Sequence, residues 1–524
     1  MDKWPIVYIR GYAGPTAGID RQVDDPFYGF NSGSTHIRVA GDGTPAFYQF
    51  EGPLVRLLGD EQYKVYVSGS QEQVLDDTSI TVEPTSLWIY RFYDEAATTF
   101  QAPPHQNLAE RLITWGRHQV TAEGFNIEDA AVGLYTLIQK IRARTGAPKV
   151  YLVAHSMGGL IARCMIQKKC QQDGREPARN IVARFFTYGT PHGGIRSAGG
   201  IAQWIEETFS PAGSNIFAPE LMQGYLDPRK EFGQVCDKGW DPQVVSDALF
   251  PLDDIFCLVG TDPADYSLAS RTAMGPQTDG LVHITNAYVR GAQRAYVHRS
   301  HSGPYGEVNS EEGYQNLRRF LFGRWAVAAM LVNAQLPAQQ NVSWQLDMRL
   351  AIRGLSVVMS EQITAHWCPI LLASPQPASG ITLVRTFLLD PGDQANKTAV
   401  AGRRMRYTIT LRLFPVHEAN GSFDFSNSLE QVPLWQDSLI VDVEPGAGSD
   451  ALTAHAAWAS TVPGANQNPD PITSQLPAAE GELLTFEADG STLAASIALP
   501  GPALRPEVLG GAARVRLAVS PRAG

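Results

Sequence analysis

Cysteine is scarce in this sequence: Cys164, Cys170, Cys236, Cys257 and Cys368 are scattered through 524 residues. An odd, dispersed set gives neither a zinc-ligand spacing nor a disulfide framework, and it fits a reducing compartment. No stretch offers 18 uninterrupted apolar residues, which excludes a membrane-spanning helix. A charged-then-apolar leader is missing too, because Met1 stands four residues ahead of the strand-like run 5–9. The expected location is therefore cytoplasmic, the alternative being a leader already trimmed from the chain. Basic charge is not in excess. With 42 Lys+Arg against 53 Asp+Glu, the formal net charge is −11. The acidic surplus is shared by both ends of the chain, so there is no clustered basic face for nucleic acid. Internal repeats and metal-ligand clusters are lacking as well; neither a metal nor a cofactor is expected.

What is present reads as an ordinary globular chain, 44% hydrophobic and 18% charged. Its length corresponds to two or three domains. Over residues 1–334, strand-like and helix-like segments alternate. Residues 5–9 and 86–93 read as buried strands. Between Asn126 and Gly146 the period changes: Ile127, Ala130, Ala131, Leu134, Leu137, Ile138 and Ile141 recur at helical spacing. Asn126 is placed to cap that helix, and Gly146 with Pro148 to stop it. A β-rich run, 149–156, and a helical run, 157–167, follow at once. Residues 181–188 and 255–260 are further strands, and 311–331 predicts a closing helix. Such alternation indicates an α/β architecture, a mostly parallel sheet covered on both faces. From residue 341 to 524 the pattern becomes period-2, broken by Pro, Gly and Asn turns, which predicts an antiparallel β-sandwich. Residues 335–340, with Pro337, read as the linker.

The sharpest chemical signal is Ala154-His155-Ser156-Met157-Gly158-Gly159. It stands where a buried strand ends and a helix begins. An abrupt turn there strains its corner residue, and the small Ala154 and Gly158 flank Ser156 at −2 and +2. A serine so placed is lifted above the sheet edge. The helix N-terminus behind it favours developing negative charge. The competing explanation is a strand-to-helix turn whose serine merely caps the helix.

These residues resemble the nucleophile elbow of the α/β-hydrolase fold, and within it the bacterial lipases and esterases. The resemblance covers about residues 4–325 and implies an eight-stranded, mostly parallel sheet. It also implies acyl transfer through a covalent acyl-enzyme. Three further segments are similar to the family's motifs, in its order of serine, acid and histidine. Ile9-Arg-Gly-Tyr-Ala-Gly14 stands where an oxyanion loop is expected, which assigns backbone N–H donors to Tyr12 and Met157. Arg10 departs from the family's usual His. Thr278-Asp279-Gly280-Leu281-Val282 is similar to the acid-bearing Asp-Gly-Leu-Val. Asp262, in Gly260-Thr-Asp, is the rival acid, and Asp279 is preferred on the motif. The base segment is Val297-His298-Arg-Ser-His301-Ser-Gly303. Lipases of this type place the histidine about two dozen residues after the acid, which favours His301 over His298.

Other candidates are set lower. His155 is expected to support packing beside Ser156, and His192, in Gly-Thr-Pro-His-Gly193, to be structural. Asp94 is a candidate loop support. Residues 14–49 and 197–253 exceed ordinary connection lengths and are rich in aromatics, including Phe27, Tyr28, Trp204, Phe209, Phe217, Tyr225 and Trp240. Residues 197–253 read as a cap beside a partly apolar acyl pocket or as core of an enlarged domain. The sandwich tail carries no catalytic signature. The function expected is a serine hydrolase acting on small-molecule or lipid carboxylic esters, with Ser156 as nucleophile, His301 as base and Asp279 as acid. A thioesterase, amidase or acyltransferase on the same triad, or a silent binding module, are the alternatives.

Overall fold

A computed structural model of the protein describes residues 3–9, 11, 38–39, 45–46, 51–66, 71–90, 126–195, 215–264, 274–301, 306–338, 342–372, 377, 379–389, 405–417, 432–445, 452–462, 482–489 and 492–522. Among them, short strands assemble a seven-stranded sheet: β1 (Ile6–Ile9), β2 (Lys64–Tyr66), β3 (Ser86–Tyr90), β4 (Val150–His155), β5 (Val182–Tyr188), β6 (Ile255–Gly260) and β7 (Gln293–Val297), in the order β2-β3-β1-β4-β5-β6-β7. The ladders of β1 with β3 and β4, of β2 with β3, of β4 with β5 and of β5 with β6 are all parallel. β1, β3, β4 and β6 are buried at every position. That is why they read as unbroken apolar runs rather than as alternation: a parallel sheet is covered on both faces.

Helix α1 (Ile127–Thr145) forms where the sequence period requires it, and it buries all seven residues of the predicted apolar stripe. The Asn126 side chain accepts the Glu128 N–H at 2.9 Å, and Gly146, at φ 68°, ends the helix in the left-handed region. Helix α2 (Met157–Gln167) starts directly from β4 and is buried along its whole length. One element differs from the expectation. The stretch 311–331 is not a single helix: α3 ends at Phe322, having begun at Glu311, and after Gly323 the chain runs on as β8 (Trp325–Val332). Trp-Ala-Val-Ala-Ala-Met-Leu-Val is apolar throughout, so periodicity cannot distinguish strand from helix there. Pairing with other strands decides it.

The later strands are β9 (Val342–Ile352), β10 (Val358–Gln362), β11 (Ile370–Leu372), β12 (Ile381–Leu388), β13 (Met405–His417), β14 (Trp435–Pro445), β15 (Leu452–Trp458), β16 (Glu482–Leu483), β17 (Glu487–Asp489), β18 (Thr492–Ala498) and β19 (Arg514–Pro521). They form two antiparallel sheets. One runs β12-β8-β19-β18-β17; the other runs β10-β9-β13-β14-β15-β16, with β11 also on β9. Both sheets contribute to one core, with Leu331, Leu383 and Leu517 from the first and Leu346, Leu411 and Leu439 from the second. Apolar residues two apart on a strand face the same side, which gives the alternation read in the sequence. Arg406 and Asp442, opposite each other on β13 and β14, form a buried two-pronged ion pair at 2.7 and 2.8 Å. Two such parallel bonds satisfy both charges where water cannot.

The chain divides into two compact units. One comprises residues 2–294 and 299–314, the other residue 1 with 295–298 and 315–524. No helix among the described residues is long and apolar enough to cross a membrane.

Candidate active site

Ser156 sits at the corner between β4 and α2 with φ 53° and ψ −125°, a conformation that L-residues rarely adopt. Strain of this kind costs roughly 1–3 kcal/mol and persists only where the surroundings impose it. Here they do. The Ser156 N–H donates to the Tyr188 carbonyl at 2.9 Å, and the Thr190 hydroxyl donates to the Ser156 carbonyl, also at 2.9 Å. A Cβ on Gly159 would overlap that hydroxyl, so glycine is what lets α2 approach so closely. The Ser156 side chain makes no capping bond to α2. Its oxygen is directed elsewhere, 3.0 Å from Nε2 of His301. Met157 opens α2, so its N–H is among the first-turn donors that have no acceptor within the helix.

The other nitrogen of His301, Nδ1, lies 2.8 Å from Oδ2 of Asp279. Oδ1 of Asp279 accepts the N–H groups of Leu281 and Val282 at 2.9 and 2.7 Å. The Asp-Gly-Leu-Val string thus folds back on its own carboxylate and fixes that group's direction. The His301 N–H donates to the Asp279 carbonyl at 2.8 Å, which ties the two loops together by their main chains as well. Ser156, His301 and Asp279 are all buried, at 5%, 3% and 1% exposure, and screening by water is therefore weak along the line they form. A carboxylate against Nδ1 selects the tautomer that leaves Nε2 free to accept the serine proton.

The remaining candidates lie elsewhere. Asp262 folds onto its own loop, its carboxylate accepting the Ala264 N–H at 2.8 Å. His298 stacks on His366 with ring centroids 3.6 Å apart, and His366 in turn faces Glu361 at 3.2 Å. His192 is buried beside Thr187 and Cys257, and burial together with the Arg163 charge holds it well below the usual histidine range. Tyr12, Arg10 and Asp94 lie outside the described residues, as do Phe27, Tyr28, Trp204 and Phe209. Within the long 197–253 segment, Phe217 and Tyr225 are buried. That segment is anchored to α2 and the residues just after it. Arg163 donates to the carbonyl of Pro242, and the Lys168 ammonium donates to those of Gly224 and Lys230, each at 2.7 Å.

Three further residues support the site in ways that the sequence does not specify. Thr190 holds the strained corner, as described. His155 lies with Nε2 3.0 Å from the His301 carbonyl, a contact that only the folded chain creates. Glu307 is fully buried behind the same histidine. His155, His301 and Glu307 present donor atoms within 4.8 Å of one another, the one such group among the described residues that could hold a metal ion. Both ring nitrogens of His301 already face Asp279 and Ser156, so an ion there would compete with those contacts.

Residues 112–197 match the family model Lipase (class 2). This segment includes β4, the Ser156 corner, α2 and β5. Among solved structures, the gene lin2722 products from Listeria innocua are similar at 14% sequence identity and a TM-score of 0.25, over 61% of this chain and 94% of that one. No curated protein matches the chain.

Proposed function

We propose that this chain, a lipase-like α/β-hydrolase, cleaves carboxylic esters with Ser156 as nucleophile, His301 as general base and Asp279 as the orienting acid. One observation carries the proposal: the unbroken, buried line from Ser156 Oγ to His301 Nε2 at 3.0 Å and from His301 Nδ1 to Asp279 Oδ2 at 2.8 Å. It begins at a strained residue on a helix N-terminus. Backbone strain at a polar corner that touches two other polar side chains is the kind of outlier from which a functional role is inferred.

In the proposed reaction His301 takes the Ser156 proton as the oxygen attacks the ester carbonyl. The imidazolium so formed is stabilised by Asp279 and then gives its proton to the departing alcohol. Water, activated by the same histidine, attacks the acyl-enzyme and releases the acid. Oxygen charge in both tetrahedral states is assigned to the Met157 N–H, at the positive end of α2, and to the Tyr12 N–H. Losing one such donor typically costs roughly 10²–10³-fold in rate.

A panel of chromogenic esters of short and long acyl chains, run on wild type and Ser156→Ala, tests the proposal. Turnover confined to wild type is expected, and its dependence on chain length separates an esterase from a lipase. Equal turnover by Ser156→Ala would remove the mechanism. Turnover of thioesters or amides alone would leave the triad but change the substrate class.

A further inference from the structure

Glu307 is a fully buried carboxyl group that the proposed mechanism leaves unused, and the Gly260 amide is a donor near its oxygens, neither of which makes a hydrogen bond of ordinary geometry. A buried polar group left in that state costs stability, so its presence calls for an explanation. Its surroundings are specific. Oε1 occupies the space where a Cβ on Gly189 would be, and that same point lies 2.8 Å from His301 Nδ1. Oε2 lies 3.4 Å from the corresponding point on Gly260, which is itself 2.8 Å from the Asp279 Cβ. Two glycines at the ends of adjacent strands therefore open a slot for one carboxyl group, against the edge of the His301–Asp279 pair. Its main chain is fixed as well, with the Glu307 N–H on the Ser300 carbonyl at 2.8 Å and the Ser310 hydroxyl on the Glu307 carbonyl at 2.7 Å.

The geometry points to Glu307 as a positioning residue of this site: a second carboxyl that takes over the orientation of His301 when the negative charge of Asp279 is removed. The inference rests on the ester-hydrolase proposal, because it assigns Glu307 a part in that same site. Burial, and after it the charge of Asp279, push Glu307 well above the usual carboxylate range, with the Gly260 amide opposing them. The ionisable groups facing it are Asp279, His301, His155 and Tyr188. With Asp279 ionised, Glu307 stays neutral, since two like charges so close together cannot both be sustained. Removing the Asp279 carboxylate withdraws that repulsion. Glu307 then releases its proton to solvent, and its carboxylate accepts the His301 Nδ1–H bond.

The test compares Asp279→Ala with the double variant Asp279→Ala/Glu307→Gln by kcat/KM across pH. The single variant is expected to lose roughly 10- to 10²-fold and the double variant roughly 10⁴-fold, the loss typical when a triad acid is disabled. Residual activity of the single variant is expected to rise with pH through an ionisation that the double variant lacks. Equal rates and equal pH profiles in the two would overturn the inference. Inactivity of both, with Ser156→Ala turning over ester like wild type, would instead overturn the ester-hydrolase proposal beneath it. If Asp279→Ala does not fold, infrared difference spectra of wild type and Glu307→Gln decide the matter. The carbonyl stretch of a protonated carboxylic acid is expected at pH 7 in wild type only, and its absence there would contradict a neutral Glu307.

Discussion

Nε2 of His155 lies 3.0 Å from the main-chain oxygen of His301, and the two rings stand 4.9 Å apart at a tilt of 44°. The residue before Ser156 thus holds the backbone of the histidine proposed to activate it. The His301 N–H in turn holds the Asp279 carbonyl, so the end of β4 and the His301 and Asp279 loops are fastened in sequence. His155→Phe keeps a ring and loses this bond. Because small misplacements of a base can cost up to roughly 10²-fold, kcat of that variant should fall by about 10- to 10²-fold with KM little changed. A wild-type kcat would mean that the loop holds the base without His155.

The two pairs of rival residues separate by substitution. His301→Ala should lose roughly 10⁴-fold or more in kcat/KM, as removal of a triad base does. His298→Ala and Asp262→Asn should stay within a few-fold of wild type, since the first side chain stacks on His366 and the second is engaged with the Ala264 N–H. Comparable losses in His298→Ala and His301→Ala would point to the wrong histidine.

Thr190 and Gly159 test the strained corner. Thr190→Val removes the bond to the Ser156 carbonyl and should cost about 1 kcal/mol of stability in denaturant unfolding, along with part of kcat. Thr190→Ser, which keeps the hydroxyl, should restore both. Gly159→Ala forces a methyl group onto that hydroxyl and should destabilise the fold by about 1–3 kcal/mol.

Glu307 also makes a prediction about stability against pH. Its carboxyl is held above the ordinary carboxylate range in the folded chain, so between the unfolded and folded pKa values the folded state binds the extra proton. Stability from this group is fully present below the unfolded value, about 4.3, and is lost as pH rises toward the folded one. Glu307→Gln removes that slope. Its stability relative to wild type should therefore grow with pH above about 5, by up to about 1.4 kcal/mol per pH unit, in unfolding titrations. Parallel stability curves would mean that Glu307 is ionised in the folded protein.

Much of this fold is legible in the sequence wherever the physical signal is local. The stripe of α1 and its Asn126 and Gly146 ends are read from spacing alone, because burial on one helix face and capping both act within a few residues. The Ser156 corner is equally local, one strand running straight into one helix. β8 was not legible, since an apolar run carries no period until partner strands take up its backbone groups. The slot of Glu307 was hidden for a different reason. It is made by Gly189, Gly260 and His301, which are far apart in the chain, and a lone glutamate six residues past a histidine has no pattern to mark it. The sequence places His155 beside Ser156 and predicts packing support; its bond to the His301 carbonyl depends on where a distant loop falls.

The most direct measurement is covalent labelling with a fluorophosphonate, followed by peptide mass mapping and ester turnover of the labelled protein. One adduct on the peptide containing Ser156, loss of turnover in proportion to labelling, and neither adduct nor turnover in Ser156→Ala are the predicted results. Turnover that survives complete labelling, or that persists in Ser156→Ala, would contradict Ser156 as the nucleophile.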